Sequence, residues 1–232
     1  MSRVFNGTSD LASVTVNLSG QGSATISAWM MQTAAVGSSK IVWEYGQGAT
    51  QRGFDLVCVG ATTLLRSYDT VNSWGDTYPT PSLNVWHHYL WMVQSGSFNR
   101  VFIDGNDTAL TNGGHGGGAT TWTNNQLTIG ARTGGSLFFP GIVAEFAIWN
   151  GFASSTLGSV GPGDPAGHIA KALANGGAVV DARALPDVYI PFLGDPSPEP
   201  DYSGPGCGPA VLTGTTVVKH PGCRSILMPS LS

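Results

Sequence analysis

Charged residues are scarce in this chain of 232 residues. Ten Lys and Arg stand against 14 Asp and Glu, so 10% of the residues are charged, whereas soluble proteins average about 25%. The net charge of −4 is too small to keep a chain unfolded by self-repulsion. A basic surface for nucleic acid is lacking, since the chain has only three Lys, at Lys40, Lys171 and Lys219. The shortage of Glu, Lys and Arg also excludes a coiled coil.

Cysteine is rare as well. Its three residues are an odd number, which argues against a full disulfide framework. Cys58 lies in the apolar run Leu56–Val59, which predicts a buried free thiol. Cys207 and Cys223 either pair with each other or both stay free.

Long apolar runs are missing too. No run approaches the ~18 residues that a membrane-spanning helix needs. The first residues, Met-Ser-Arg-Val-Phe-Asn-Gly, lack the apolar segment of a signal peptide. We therefore expect a protein made in a cytoplasm and not exported by a standard signal.

Glycine is abundant, with 33 residues alongside many Thr, Ser, Val and aromatic residues, and this composition favours an all-β fold. Tryptophan and proline divide the chain: all seven Trp precede residue 150, and eleven of the 14 Pro follow residue 160. We predict a sandwich core over 1–153, a loop and short helix over 154–184, and a Pro-rich arm over 185–232. The arm is expected to return to the core or to contact a neighbouring chain.

Alternating apolar residues predict a series of short strands, which is typical of a sandwich or jelly roll. In the first of them, the even-numbered residues from Ala24 to Met30 share one face. Asp104-Gly105 gives the strongest turn signal of the chain. Further strands are predicted at 41–45, 53–59, 62–68, 86–94, 99–103, 126–130 and 141–149.

One helix is predicted between residues 164 and 177. Asp164-Pro165 supplies a cap and a first-turn proline, and Gly176-Gly177 ends the helix. We expect the helix to close one end of the sandwich with an apolar stripe made of Ala166, Ile169, Ala170 and Leu173.

Four motifs occur together over about residues 3–153. They are Phe5–Asp10, Ile26–Trp29, Trp86-His-His with Arg100–Gly105, and Leu127–Gly130 with Gly141–Asn150. In this order they resemble the laminin-G-like branch of the concanavalin A-like lectin/glucanase superfamily. The resemblance implies an all-β, two-sheet antiparallel jelly-roll sandwich.

The C-terminal arm resembles the stretch that opens many laminin-G-like domains, in Tyr189–Gly194, Asp201–Gly204 and Leu212–Thr215. Its position here indicates a circular permutation, in which residues 188–216 lie beside residues 3–20 as edge strands. Pro198–Gly204 and Thr213–Pro221 are also similar to laminin-G-like proteins encoded by tailed phages and prophages. This second resemblance implies a virion component.

Glycosidases of this superfamily need two closely spaced carboxylates. Glu145 is the only acid on the matching strand, Val143–Trp149, so we predict a structural role for it. We predict no catalytic residue and no enzymatic activity. A groove with two carboxylates about 5–9 Å apart would instead favour a hydrolase or lyase.

The remaining polar motifs have structural interpretations. Asp104 and Asp107 suit a turn. His87 and His88 are adjacent on a strand and face opposite surfaces, so they do not chelate one metal easily. His115 lies in a Gly-rich loop. No run has the oxygen density that calcium requires, so we predict no metal and no cofactor.

The best candidate for a ligand-binding site is the stretch Tyr68–Tyr78, which we predict to be a loop. Trp74 and Tyr78 could stack on a sugar ring, and Asp76 or Asn72 could bind its hydroxyl groups. The alternative is that the two aromatic residues cover the end of the sandwich or a protein interface.

Together these features predict a non-enzymatic protein of a phage virion. The favoured role is a capsid (head) decoration or stabilising subunit, which is assembled in the host cytoplasm. Its expected partners are the major capsid protein or other virion proteins and further copies of itself, without nucleic acid or membrane. The alternative is a carbohydrate-binding adhesin of a tail fibre or capsid surface that contacts a cell-surface glycan. A glycoside hydrolase or lyase is the least favoured function.

Overall fold

The computed structural model describes residues 2–46, 52–68, 73–95, 98–112, 121–123, 125–151, 170–171, 173–175, 186–192, 197–198, 200 and 209–218, without the side chains of Trp74, Phe98, Asn112 and Asn125. Within these residues the strands are β1 (Ser2–Asn6), β2 (Leu11–Val16), β3 (Ser23–Gln32), β4 (Lys40–Tyr45), β5 (Gly53–Val59), β6 (Thr62–Tyr68), β7 (Ser73–Pro79), β8 (His87–Gln94), β9 (Phe98–Ile103), β10 (Asn106–Thr108), β11 (Thr111–Asn112), β12 (Asn125–Ile129), β13 (Pro140–Asn150), β14 (Val188–Ile190), β15 (Val211–Thr213) and β16 (Thr216–Val218).

The strands form two antiparallel sheets. Sheet A has the order β10-β9-β8-β3-β13-β1-β16, and β14 also pairs with β13. Sheet B has the order β11-β7-β6-β5-β4-β12-β2-β15. The predicted all-β, two-sheet antiparallel jelly roll is therefore confirmed.

The core lies between the sheets because alternate side chains of each strand point inward. In β3 the even-numbered residues 24–30 are buried in it, as predicted. Aromatic rings from opposite sheets meet edge to face: Trp43 with Phe146, and Phe54 with Trp91, each with centroids 5.6 Å apart. Such pairs add about 0.5–1.5 kcal/mol each beyond the burial of their area.

The C-terminal strands return to the N-terminal strands. β16 pairs with β1, β15 pairs with β2, and β14 pairs with β13. The turn between β15 and β16 contains Gly214 at φ 75°, where a Cβ atom would come within 2.2 Å of Asp10 Oδ1. This pairing is the arrangement that the circular-permutation interpretation requires; the domain boundaries themselves remain predictions.

The helix is described only at residues 170, 171, 173 and 174. Ala170 and Leu173 pack on the outer face of sheet A, against Leu90, Met92 and Phe102. The helix therefore covers a sheet face, whereas we expected it to close one end of the sandwich. Its predicted caps, at 164–165 and 176–177, lie outside the described residues.

Cys58 is buried with a free thiol, as predicted. Burial raises the pKa of this thiol to about 12. Cys207 and Cys223 lie outside the described residues. In the described part of the chain, no helix is long and apolar enough to cross a membrane.

Candidate functional site

The predicted sugar-binding stretch is mostly strand. β6 runs to Tyr68 and β7 begins at Ser73, so the segment between these strands is much shorter than the predicted loop. On β7, residues 76 and 78 share the face that points between the sheets. Asp76 is 3% exposed and Tyr78 is 2% exposed.

Both residues contribute to the packing between the sheets. Asp76 accepts a hydrogen bond from Asn99 Nδ2 (2.8 Å), and Asn99 Oδ1 accepts one from Trp91 Nε1 (3.0 Å). Tyr78 packs against Tyr89, with ring centroids 6.4 Å apart. Asp76 and Tyr78 therefore do not fit the role of sugar contacts in this structure. Asn72 and the side chain of Trp74 lie outside the described residues.

A different polar group occupies the outer face of sheet B. Ser13, Thr128, Glu44, Asp55 and Arg66 are consecutive cross-strand partners on β2, β12, β4, β5 and β6. Their chain neighbours belong to the core, so the five side chains point to the other face. We call this line of residues the polar row.

Two arginines and two carboxylates form the centre of the site, and we call them the charged quartet. Arg66 donates to both oxygens of Asp55, through Nε to Oδ1 (2.9 Å) and through Nη2 to Oδ2. Glu44 Oε2 accepts the backbone N–H of Thr133 (2.6 Å). Arg132 Nε lies 3.5 Å from Glu44 Oε1, and its charge also acts on Asp55. The four groups therefore surround one point on the sheet.

The carboxylates and the arginines of the quartet differ in exposure. The side chains of Glu44 and Asp55 are 0% exposed, whereas those of Arg66 and Arg132 are 24% and 33% exposed. Burial raises the pKa of Glu44, although the N–H of Thr133 opposes the shift. The acceptors thus lie beneath the surface, and the cationic donors reach it.

The quartet contains the pair of carboxylates that the sequence analysis missed. Glu44 and Asp55 are direct cross-strand partners, so sequence distance conceals their proximity. The only signal was an acid between two core-facing residues on each strand, as in Trp43-Glu44-Tyr45. Because both acids are inaccessible and held by arginines, the pair stabilises the cations and presents no accessible acid or nucleophile to a substrate.

Glu145 has a structural environment. It lies in a β-bulge of β13 at φ 50°, where the partner of this strand changes from β1 to β14. The hydroxyl of Tyr189 donates to its carboxylate, and its own N–H points to Pro191 O (3.5 Å). Burial raises the pKa of Glu145. These contacts agree with the structural role predicted for this residue.

The two histidines lie at the start of β8. His87 Nδ1 is 2.7 Å from Asp104 Oδ2, and the backbone N–H of His88 donates to Asp104 Oδ1 (2.9 Å). His88 is buried, with Nε2 3.0 Å from Ser27 Oγ, and burial lowers its pKa to about 4. The described residues contain no group of three His, Cys, Asp or Glu that could hold a metal ion. His115 lies outside them.

The two acids predicted at a turn have different roles. Asp104 has φ 52° and joins β9 to the next strand, as predicted. Asp107 lies on β10 and accepts hydrogen bonds from Arg100 Nε (3.1 Å) and Nη2 (2.7 Å). This ion pair lies on sheet A, and the side chain of Asp107 is 53% exposed.

Comparison with known proteins yields a family and a set of similar folds. A model of the concanavalin A-like lectin/glucanases superfamily matches residues 5–156. A native heptameric SAP-like pentraxin from Limulus polyphemus has a TM-score of 0.58 and 12% identity, over 90% of this chain and 94% of the pentraxin chain. No curated protein sequence matches.

Binding domains of botulinum neurotoxins are similar in fold as well. The serotype D ligand-binding domain, solved in complex with N-acetylneuraminic acid, has a TM-score of 0.55 and 9% identity, over 73% of this chain and 42% of that chain. The receptor-binding domain of mosaic serotype C/D also has a TM-score of 0.55, at 10% identity, over 79% of this chain and 43% of that chain. At these identities the likeness shows the fold alone.

Proposed function

This chain belongs to the concanavalin A-like lectin/glucanases superfamily, and we propose that it is a non-enzymatic saccharide-binding protein whose ligand lies on the outer face of sheet B. The observation that carries the proposal is the charged quartet. Arg66 and Arg132 reach the surface, where two hydrogen bonds to the buried Asp55 fix Arg66 and the buried Glu44 lies 3.5 Å from Arg132 Nε. A preorganised donor group on a rigid sheet is what a binding site requires.

The polar row supplies further hydrogen-bonding groups around the two arginines. Ser13 is half-buried, and Gln126 and Thr15 lie exposed one row away. Hydroxyl and amide groups of this kind fix the orientation of a polar ligand. A relative in fold, the botulinum serotype D domain, was solved with a bound sugar, which supports a saccharide as the ligand class.

A glycan array probed with the full chain tests this proposal. We expect binding to a subset of glycans, and we expect Arg132→Gln to reduce it. Arg100→Gln is the matched control, because Arg100 pairs with Asp107 on the other sheet. No binding to any glycan, or equal binding by the Arg132 variant, would contradict the assignment.

The virion role is a second proposal, supported by the resemblance of Pro198–Gly204 and Thr213–Pro221 to phage-encoded proteins. A head-decoration subunit or a fibre adhesin would combine attachment to the particle with the saccharide face. Particles assembled without this chain are the test. We expect them to lose stability or adsorption, and particles that keep both would contradict the virion role.

A further inference from the structure

We infer that the saccharide bound on the outer face of sheet B carries an anionic oxygen group, a carboxylate or a sulfate, which Arg66 and Arg132 hold. This inference rests on the proposed function, because it names the class of ligand for the same face. It depends on which hydrogen-bonding groups of the quartet a ligand can reach.

Neutral sugars present hydroxyl groups, each of which is both a donor and an acceptor of hydrogen bonds. A site for them normally offers acceptors as well as donors. Within the quartet the acceptors belong to Glu44 and Asp55, whose side chains are 0% exposed. The accessible groups are guanidinium groups, which only donate. The chemistry of the quartet is therefore matched to a ligand rich in acceptors.

Both arginines also retain donors that make no hydrogen bond within the described residues. Arg66 binds Asp55 through Nε and Nη2, which leaves Nη1 without a hydrogen bond to any described residue. The Nε of Arg132 is buried 3.5 Å from Glu44 Oε1 without a hydrogen bond, so the donors that Arg132 offers to a ligand are those of its terminal Nη1 and Nη2, which make no hydrogen bond within the described part of the chain. Guanidinium groups bind carboxylate and sulfate oxygens through charge-assisted hydrogen bonds, about twice as strong as neutral ones.

The buried carboxylates set the charge of the site. With both acids ionised, the quartet is neutral. Removing the charge of Glu44 would leave a net positive charge beside the ligand while the hydrogen bond from Thr133 could persist. Glu44→Gln should therefore strengthen the binding of an anionic saccharide, whereas a carboxylate that contacted sugar hydroxyls directly would weaken binding on the same change.

Arg100 is an internal control for the roles assigned to Arg66 and Arg132. It uses Nε and Nη2 on a single oxygen of Asp107, and the acceptor of this pair is 53% exposed. A ligand approaching Arg100 therefore meets the negative charge of Asp107 as well. Arg100→Gln removes the same positive charge from the protein as Arg132→Gln, but at a place where we expect no ligand.

The experiment compares polygalacturonate with its fully methyl-esterified form, which has the same backbone without the charge. Binding of the full chain is measured by titration calorimetry, with chondroitin sulfate as the sulfate arm. We expect the chain to bind polygalacturonate, chondroitin sulfate or both, and to bind the methyl ester at least about tenfold more weakly. Binding should weaken as salt rises, because exposed charges are screened.

Three single substitutions then show where on the protein the anionic saccharide binds. We expect Arg132→Gln to weaken anionic binding about tenfold, Glu44→Gln to strengthen it several-fold, and Arg100→Gln to leave it unchanged. The thermal unfolding midpoint of each variant shows whether it is folded. Anionic binding that is insensitive to both Arg132→Gln and Glu44→Gln would overturn the inference, because the ligand would lie elsewhere.

The saccharide-binding face and the anionic ligand class are contradicted by different results. Equal binding of polygalacturonate and its methyl ester, lost in Arg132→Gln, would overturn the anionic class and keep the saccharide-binding face. Binding on the array to neutral glycans alone would do the same. Failure to bind any of the polymers or any arrayed glycan would overturn both.

Discussion

The two sheets of this protein use their outer faces differently. The outer face of sheet A carries Leu90, Met92 and Phe102, and residues of a helix cover it. The outer face of sheet B carries the polar row and the charged quartet, whose two arginines reach the surface. The outer face of sheet A therefore contributes to packing, whereas the outer face of sheet B presents two guanidinium groups to the surroundings.

Each outer face also contains an Arg–carboxylate pair, and the two pairs differ in burial. The carboxylate of Asp55 on sheet B is fully buried, whereas that of Asp107 on sheet A is half exposed. Water can take over the solvation of Asp107 when its partner is removed, but it cannot reach Asp55 in the folded protein. We therefore expect the two Arg–carboxylate pairs to contribute differently to the free energy of unfolding.

The largest effect is expected from Arg66→Ala. This change leaves Asp55 as a buried carboxylate without its main partner, which costs about 3–5 kcal/mol in the free energy of unfolding. Arg100→Ala should cost only about 1 kcal/mol or less, since exposed ion pairs contribute little. Urea unfolding of both variants measures the difference.

A double variant tests the physical reason for this prediction. Asp55→Asn combined with Arg66→Met removes both charges together, and we expect it to recover much of the stability that Arg66→Ala loses. Equal losses for Arg66→Ala and Arg100→Ala would show that burial does not separate the two pairs.

His88, on the outer side of sheet A, should make the protein sensitive to acid. Its folded pKa, about 4, is below the ordinary value of 6.5, so the unfolded chain takes up the proton more readily. Stability is therefore lost as the pH falls from about 6.5 to about 4, by about 3 kcal/mol in total. Unfolding curves of His88→Gln should lack this loss between pH 7 and pH 4, and a variant with the unchanged acid profile would contradict the assignment.

A smaller effect is expected from Leu173→Ala, which removes a buried side chain of the helix from the outer face of sheet A. We expect a loss of about 2 kcal/mol, at the low end for a buried leucine, because the surrounding side chains can relax partly into the space. Saccharide binding should be unchanged, since the helix covers the other sheet. Thermal unfolding measures the stability of the variant, and the glycan array measures its binding. A Leu173 variant that loses binding would contradict the assignment of packing to the outer face of sheet A and of binding to that of sheet B.

The fold was largely predictable, because it depends on local patterns. The inward face of β3, the Asp104-Gly105 turn and the burial of Cys58 all follow from alternation, turn chemistry and apolar context. The motifs of the superfamily added the two-sheet arrangement.

The candidate site was not predictable, since it depends on strand register. Glu44 and Asp55 meet only because β4 and β5 pair in one particular register, and no local pattern reveals it. The stretch before Tyr78 was misread for a related reason. Its polar residues look like a loop, but Asp76 points inward and finds a partner in Asn99, 23 residues away.

The return of the C-terminal strands to β1 and β2 has a consequence for how the protein folds. Ser2 and Val218 are joined by a hydrogen bond across 216 positions of sequence, and contacts of such separation form slowly because a long loop must first close. While the chain is being synthesised, β1 and β2 are made long before β16 and β15, and their edges remain open to other strands. Completion of these two sheet edges therefore waits until β15 and β16 have been synthesised, which makes the period before their synthesis the time of greatest exposure to aggregation.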